Sequence, residues 1–116
     1  MLPTKNRLRA SKDFALTTKT GVRATSLSLV LYLKTNPYAS GKSSEPQIGL
    51  IVNKSVGGSV VRHRVSRQLR HLISGQIENL PTNSQLVIRV LRNIPNFESE
   101  LTDLVPKVIN KALANA

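Results

Sequence analysis

The chain has 116 residues, of which 40% are hydrophobic, and this size and composition predict a single folded domain, 1–116. Its net charge is +11, and all of the excess lies in residues 1–75, because residues 76–116 contain as many acidic as basic residues. This asymmetry favours a polyanionic partner, either nucleic acid or an anionic membrane surface. The chain has no cysteine, so disulfides and thiolate zinc sites are excluded.

The hydropathy pattern favours a soluble, cytoplasmic protein. The sequence contains no apolar run long enough for a membrane span, and the first ten residues are too polar for the centre of a signal peptide. The basic stretch also has no Trp or Phe to seat in a membrane interface. We therefore expect nucleic acid, and not a membrane, as the partner.

The first third of the chain predicts an arm, a helix and a strand. Residues 1–10 indicate an extended basic arm, since Pro3 lacks a backbone donor. A short helix follows from Ser11 to about residue 20, with Gly21 as its stop. Residues 27–33 alternate like a strand. The side of this strand that faces the core is predicted to carry Leu27, Leu29, Leu31 and Leu33. The other side, which is predicted to meet solvent or a partner, carries Ser28, Val30 and Tyr32.

The rest of the chain alternates strands and helices. Residues 36–46 form a polar loop, and strands are predicted over 47–53 and 85–92. The helix between them, 59–74, ends at Gly75, and a strand–helix–strand unit of this kind predicts a parallel pair. A last helix is predicted to begin near residue 96 and to kink at proline 106, which disturbs a helix interior, or else to begin near residue 103.

The stretch from 54 to 71 contains the strongest functional signal. Its apolar residues are Val61, Val65, Leu69, Leu72 and Ile73, and at about 100° per residue they share one helical face. The opposite face carries Arg64, Arg67 and Arg70 together with His63 and His71. A merely solvated face would normally include Glu one turn from each cation, and here there is none, which favours nucleic-acid binding. Arg62 falls at the edge of the apolar arc.

Other candidate sites remain open or are disfavoured. The turn Gly57-Gly58-Ser59 could present backbone amides to an anion, although a turn that merely ends a strand is the simpler interpretation. Tyr32 could stack on a base of single-stranded nucleic acid or simply be an ordinary strand residue. The two histidines have few acids to orient them, so no catalytic side chain and no metal ligand is predicted in the protein.

Taken together, these residues resemble the protein subunits of bacterial ribonuclease P. That family carries a helix written Lys-x-x-Gly-x-Ala-Val-x-Arg-Asn-Arg-x-Lys-Arg-x-x-Arg. The positions that match it are Lys54, Gly57, Val60, Arg62, Arg64, Arg67 and Arg70. The similarity continues over residues 6–9, 13–14, 21, 29–32 and 48–50. The chain departs from the pattern where His63 replaces Asn, where Ser66 replaces Lys, and where Thr18 stands at a position that is often aromatic.

The resemblance implies a fold and a function. The fold is an α+β or α/β sandwich in the order α-β-β-β-α-β-α, with a central sheet of about four strands, a short extra strand near 22–25 and a left-handed crossover around the basic helix. The function is removal of the 5′ leader from precursor tRNA as one protein bound to one catalytic RNA. The chemistry would belong to that RNA and Mg²⁺, with the protein raising substrate affinity and lowering the Mg²⁺ requirement.

The resemblance also implies two binding surfaces. Contacts to the catalytic RNA are expected from Lys54, Arg62, His63, Arg64, Arg67 and Arg70. The single-stranded leader is expected between the first helix and the sheet, at Phe14, Tyr32 and His63. The alternative hypothesis is a structural RNA-binding protein, such as a ribosomal component.

Overall fold

The computed structural model of the chain describes residues 7–8, 11–35, 46–81 and 84–114, without the side chains of 11–13. Its elements are α1 (Ser11–Thr20), β1 (Val22–Thr25), β2 (Leu29–Thr35), β3 (Gln47–Val52), α2 (Ser59–Ser74), β4 (Ser84–Val90) and α3 (Glu98–Ala114). Single 3₁₀ turns occupy Lys54–Val56 and Ile77–Asn79. The predicted element order and the short strand at 22–25 are confirmed. Most of the predicted arm, 1–10, and most of the loop, 36–46, lie outside the described residues.

The four strands form one mixed sheet in the order β1-β2-β4-β3. β2 pairs antiparallel with β1 and with β4, whereas β3 and β4 are parallel, as the strand–helix–strand pattern predicted. The handedness of the crossover through α2 stays a prediction. At the outer edge of β3, Arg7 forms an isolated parallel bridge with Ile48, and the Leu8 amide donates a 2.8 Å hydrogen bond to the Ile48 carbonyl.

The main core lies between one face of the sheet and the helices α2 and α3. Leu29, Leu31 and Leu33 of β2 point into it and are at most 1% exposed. Leu27, which was predicted to share their row, is 78% exposed. It lies in the turn before β2, where the Ser26 amide donates to the Leu29 carbonyl at 2.8 Å. The strand therefore begins two residues later than the alternation indicated.

The other face of the sheet is covered by α1 and holds a smaller apolar cluster. Its buried members are Leu8, Val30, Tyr32 and Val87, with Phe14 and Ile51 packed against them. Thr17 of α1 is fully buried, and its hydroxyl donates a 3.0 Å hydrogen bond to Gln85 Oε1 on β4. Val30 and Tyr32 were expected to meet solvent or a partner, but they are only 7% and 9% exposed because this cluster and α1 cover them.

Helix α3 begins at Glu98, close to the earlier of its two predicted starts, and continues through Pro106. The Asn96 side chain accepts a 2.8 Å hydrogen bond from the Glu98 amide, which satisfies one free donor of the first turn. Glu100 then fastens the helix to the turn before β2. Its carboxylate accepts hydrogen bonds from the Ser26 hydroxyl and from the Ser28 amide, the latter at 2.9 Å.

Candidate nucleic-acid interface

Helix α2 begins where glycines allow the chain to turn tightly out of the 3₁₀ segment. Gly57 has φ 158°, and a side chain on it would meet Val61 Cγ1 at 2.8 Å, so only glycine fits this close approach. Gly58 is the N-cap residue and offers no side-chain hydrogen bond, and the first turn contains no acid. The positive end of the helix dipole therefore has neither a side-chain cap nor a carboxylate beside it.

The two faces of α2 are those that the helical spacing predicted. Val65, Leu69 and Ile73 are at most 1% exposed in the main core, and the half-buried Val61 and Leu72 pack beside them. The apolar face thus fixes the rotation of the helix about its axis. The residues that lie between the apolar positions are then held on the outside, and most of these are cationic.

The outward face of α2 is cationic over its whole length. Arg64 and Arg67 are exposed and Arg70 is half-buried, and the two histidines beside them, His63 and His71, are exposed. Arg64 Nη2 donates a 3.3 Å hydrogen bond to Asn93 Oδ1 in the segment between β4 and α3. No salt bridge joins any of these side chains to a carboxylate within the described parts of the chain. The charge of the three arginines is consequently available to an external anion.

One depression gathers the cations of this face. It is lined by Arg64, Arg67 and Arg70, by both histidines, and by Arg7 from the segment bridged to β3. Val60 is 82% exposed at the same place, so an apolar side chain projects among the cations. We call this surface, comprising Arg7, Val60, His63, Arg64, Arg67, Arg70 and His71, the α2 face. A concave cationic surface with an apolar patch suits a folded nucleic acid better than a small anion.

Arg62 lies apart from the α2 face, as its position on the helical wheel suggested. It lines a groove between α2 and β3 with Leu50, Val52 and Ser59. Its Nε is buried and has no hydrogen-bond partner among the described residues. A buried donor without a partner is costly, and an acceptor entering the groove would satisfy it. His63 and Arg70 line both this groove and the α2 face, so the two form a continuous surface.

Lys54 is placed differently from the helix cations. It is exposed in the 3₁₀ turn that follows β3, about one turn before α2 begins. It therefore stands before the amino-terminal end of α2 and not on the α2 face.

The side chains predicted for the leader are brought together only in part. Phe14 and Tyr32 share the small cluster on the α1 side of the sheet, but Phe14 is half-buried and Tyr32 only 9% exposed. A base can stack on Tyr32 only if α1 or Leu8 moves. His63, predicted for both surfaces, lies on the α2 side, so the sheet separates it from Phe14 and Tyr32.

Arg7 is the residue of this surface that the sequence-based prediction missed. It was assigned to the basic arm, without a position relative to the basic helix. Its bridge to Ile48 brings it alongside the α2 face. Cations alternate with other residues at Lys5, Arg7 and Arg9. This alternation could have indicated an added edge strand, because side chains of a strand repeat every two residues.

In the described ranges, no three His, Cys, Asp or Glu side chains are grouped as metal ligands. No helix that the structure describes is long and apolar enough to cross a membrane.

Comparison with known proteins supports the resemblance over almost the whole chain. The family model described as Ribonuclease P matches residues 2–113. The ribonuclease P protein component of Streptomyces bikiniensis is 46% identical over 95 residues, which cover 78% of this chain and 77% of that protein. The protein component of Mycobacterium sp. (strain KMS) is 43% identical over 116 residues, covering 100% of this chain and 93% of the relative.

Solved structures of similar fold include two ribonuclease P proteins of low sequence identity. The Staphylococcus aureus protein superposes with a TM-score of 0.68 at 16% identity, covering 92% of this chain and 94% of that one. The Thermotoga maritima protein gives a TM-score of 0.64 at 17% identity, covering 90% and 96%. These likenesses show the shared fold, and the family model and the curated relatives show the family. The chain belongs to the ribonuclease P protein family, as a bacterial ribonuclease P protein subunit.

Proposed function

We propose that this chain acts in a bacterial ribonuclease P, where it binds the catalytic RNA and the single-stranded 5′ leader of precursor tRNA in the cytoplasm. The relatives are named as protein components, which describes parts of a larger enzyme. One protein per catalytic RNA is the expected stoichiometry. The protein would increase the affinity for precursor over mature tRNA and lower the Mg²⁺ concentration needed for cleavage.

The observation that carries this proposal is the α2 face. Arg64, Arg67 and Arg70 form no salt bridge with a described acid, and they line one depression together with Arg7 and an exposed Val60. Each cation that neutralises a phosphate releases condensed counterions, which makes such a surface bind RNA strongly at low salt. The groove at Arg62 extends it towards β3 and contains a buried donor that a phosphate oxygen could satisfy.

The leader is assigned to the α1 side of the sheet. Phe14 is the more accessible of the two aromatic residues there, because Tyr32 is buried beneath the cluster. A half-buried ring held at a fixed position can stack on a base without selecting its identity. This side and the α2 face are separated by the sheet, so the catalytic RNA and the leader would occupy different surfaces.

Hydrolysis of the phosphodiester bond is assigned to the RNA subunit with Mg²⁺. This assignment follows the family resemblance, and no group of three His, Cys, Asp or Glu side chains is formed among the described residues. Both histidines are exposed among arginines and no described hydrogen bond orients either one towards a carboxylate. In this proposal the protein binds and positions the substrate, and the metal would be held by RNA.

Reconstitution tests the proposal directly. The purified protein is added to a bacterial ribonuclease P RNA, and precursor-tRNA cleavage is measured at a Mg²⁺ concentration where the RNA alone is nearly inactive. We expect cleavage at the mature 5′ end only when both components are present. No gain over the RNA alone would contradict the proposal. Cleavage by the protein without RNA would show a protein nuclease instead.

The alternative is a structural RNA-binding protein, such as a ribosomal component. The RNA that copurifies with the protein from its own cells distinguishes the two. Recovery of the ribonuclease P RNA supports the proposal, whereas recovery of ribosomal RNA alone supports the alternative.

A further inference from the structure

The strand register places Arg89 on the α1 side of the sheet, where Arg23 and Lys34 also project, and no binding surface has yet included it. Arg89 in β4 lies between Ile88 and Val90, which are both buried in the main core. Because successive side chains of a strand point to opposite faces, Arg89 projects from the other face, where α1 lies. It is exposed there, and its paired residues are Val30 on β2 and Ile51 on β3.

Arg89 is close to the small cluster that contains Tyr32. Tyr32 pairs with Val87, and Arg89 is two residues further along β4. The two are therefore diagonal cross-strand neighbours, about 7–8 Å apart. A guanidinium on a long side chain at this distance can reach a phosphate while the adjoining base contacts the edge of the cluster.

Nothing described on this side of the molecule pairs with the charge of Arg89. The described carboxylates are Glu78, Glu98, Glu100 and Asp103, and all of them belong to segments that pack against the main core. No hydrogen bond or salt bridge to Arg89 is formed with any described residue. Neither a hydrogen bond nor a salt bridge within the described residues therefore accounts for an arginine between Val30 and Ile51.

We propose that Arg89 binds a phosphate of the single-stranded leader where the leader passes beside α1, an inference that rests on the proposed function. A phosphate, and not a base edge, is the ligand, because Arg89 is exposed and forms no hydrogen bond or salt bridge with a described residue, so its charge is available to the backbone of a single strand. The leader, and not the catalytic RNA, is the source, because Arg89 is separated from the α2 face by the sheet.

The experiment compares Arg89→Gln with Lys107→Gln in the reconstituted holoenzyme. Lys107 is an exposed cation on α3, across the sheet from α1, so both substitutions remove one charge and keep the side-chain stem. Affinities are measured for precursor tRNA with a long leader, for precursor with a minimal leader, and for mature tRNA, over a range of salt concentrations.

We expect Arg89→Gln to weaken binding of the long-leader precursor about fivefold and to reduce the magnitude of its salt slope by about 0.7, the value for one phosphate of a single strand. Binding of mature tRNA and of the catalytic RNA should not change. Lys107→Gln should leave all the affinities unchanged. Arg89→Lys keeps the charge and should recover most of the salt slope. This result would show that a cation at position 89 is sufficient for binding the leader phosphate.

Two outcomes would overturn the inference and are distinguishable from failure of the proposed function. If the unsubstituted protein favours long-leader precursor and Arg89→Gln retains this preference, Arg89 does not bind the leader. If Arg89→Gln weakens binding of the catalytic RNA instead, Arg89 belongs to the RNA-docking surface. If the unsubstituted protein shows no preference for precursor at all, the proposed function fails and the role of Arg89 fails with it.

Discussion

Phe14 of α1 lies so close to Gly49 of β3 that a methyl group built on Gly49 would overlap the aromatic ring. The absence of a side chain at Gly49 is therefore what allows α1 to sit against the sheet. This contact sets the distance between α1 and β3 on the side of the molecule to which the leader is assigned.

Gly49→Ala should destabilise the protein by about 1–3 kcal/mol, because the Phe14 ring must move out of its position to admit the methyl group. The control is Gly75→Ala at the end of α2, where the added methyl would meet its nearest atom, the Leu72 carbonyl oxygen, at an ordinary 3.6 Å. Urea unfolding followed by circular dichroism measures both. Equal stability of the two variants would show that Phe14 does not fix α1.

The hydrogen bond from Thr17 to Gln85 is the second contact that holds α1 to the sheet. Thr17→Val keeps the shape of the side chain but leaves Gln85 Oε1 without this donor, so we expect a loss of about 1–3 kcal/mol in the free energy of unfolding. Thr20→Val is the matched control, since the Thr20 hydroxyl is exposed and bonds only to its own helix at Leu16. A comparable loss in both variants would mean that valine in the helix, and not the lost bond, is responsible.

Glu100 should make stability depend on pH. Burial raises the pKa of its carboxyl, but the hydrogen bonds from Ser26 and Ser28, aided by the positive charge of Arg92, outweigh burial and hold the pKa below its ordinary value. A lowered pKa in the folded state stabilises the fold above the unfolded value of about 4.3 and loses that contribution as the pH falls through the folded value.

The test compares Glu100→Gln with Glu98→Gln, an exposed acid in the same first turn. Unfolding free energies at neutral pH and below pH 4 are the measurement. Glu100→Gln should reduce stability mainly at neutral pH and flatten the pH dependence, whereas Glu98→Gln should keep the slope of the unsubstituted protein. An unchanged slope in Glu100→Gln would contradict the role of this carboxylate.

Arg64→Ala and Arg67→Ala should each weaken binding to the catalytic RNA and reduce the magnitude of its salt slope by about one charge, close to 0.9 for a duplex. Both side chains are exposed, so folding should be little affected. Filter binding across a salt series gives the slope, with Lys107→Ala as a control of the same charge change away from the α2 face. Unchanged slopes in both variants would show that the α2 face is not where the RNA binds.

Helix α2 is the part of the fold that could be predicted most fully from the sequence. Its bounds, 59–74, and its buried residues Val65, Leu69 and Ile73 agree with the spacing, because a helix face is a local pattern that tertiary contacts here reinforce. The parallel pairing of β3 and β4 also followed from the element order. The short strand β1 was expected only from the family resemblance, since four residues give too little alternation to identify.

What could not be predicted depends on contacts between distant parts of the chain. Leu27 continues the alternation of β2 but lies in a turn, because Ser26 and Ser28 are bonded to Glu100, more than 70 residues away. Tyr32 is buried because α1 and Leu8 cover its face, which depends on the docking of α1. No local spacing encodes either contact, and the same holds for the approach of Arg7 to α2.

Site-specific crosslinking tests most directly the central claim, that two RNAs bind on opposite sides of one sheet. The chain has no cysteine, so a single cysteine can carry a photo-crosslinker without competition. Val60→Cys places it on the α2 face and Thr25→Cys places it on β1, at an exposed position paired with Val30. In the reconstituted holoenzyme with precursor tRNA, the probe at 60 should crosslink to the catalytic RNA and the probe at 25 to the leader. The claim would be contradicted if both probes crosslinked to the same RNA, or if the probe at 60 crosslinked to the leader and the probe at 25 to the catalytic RNA.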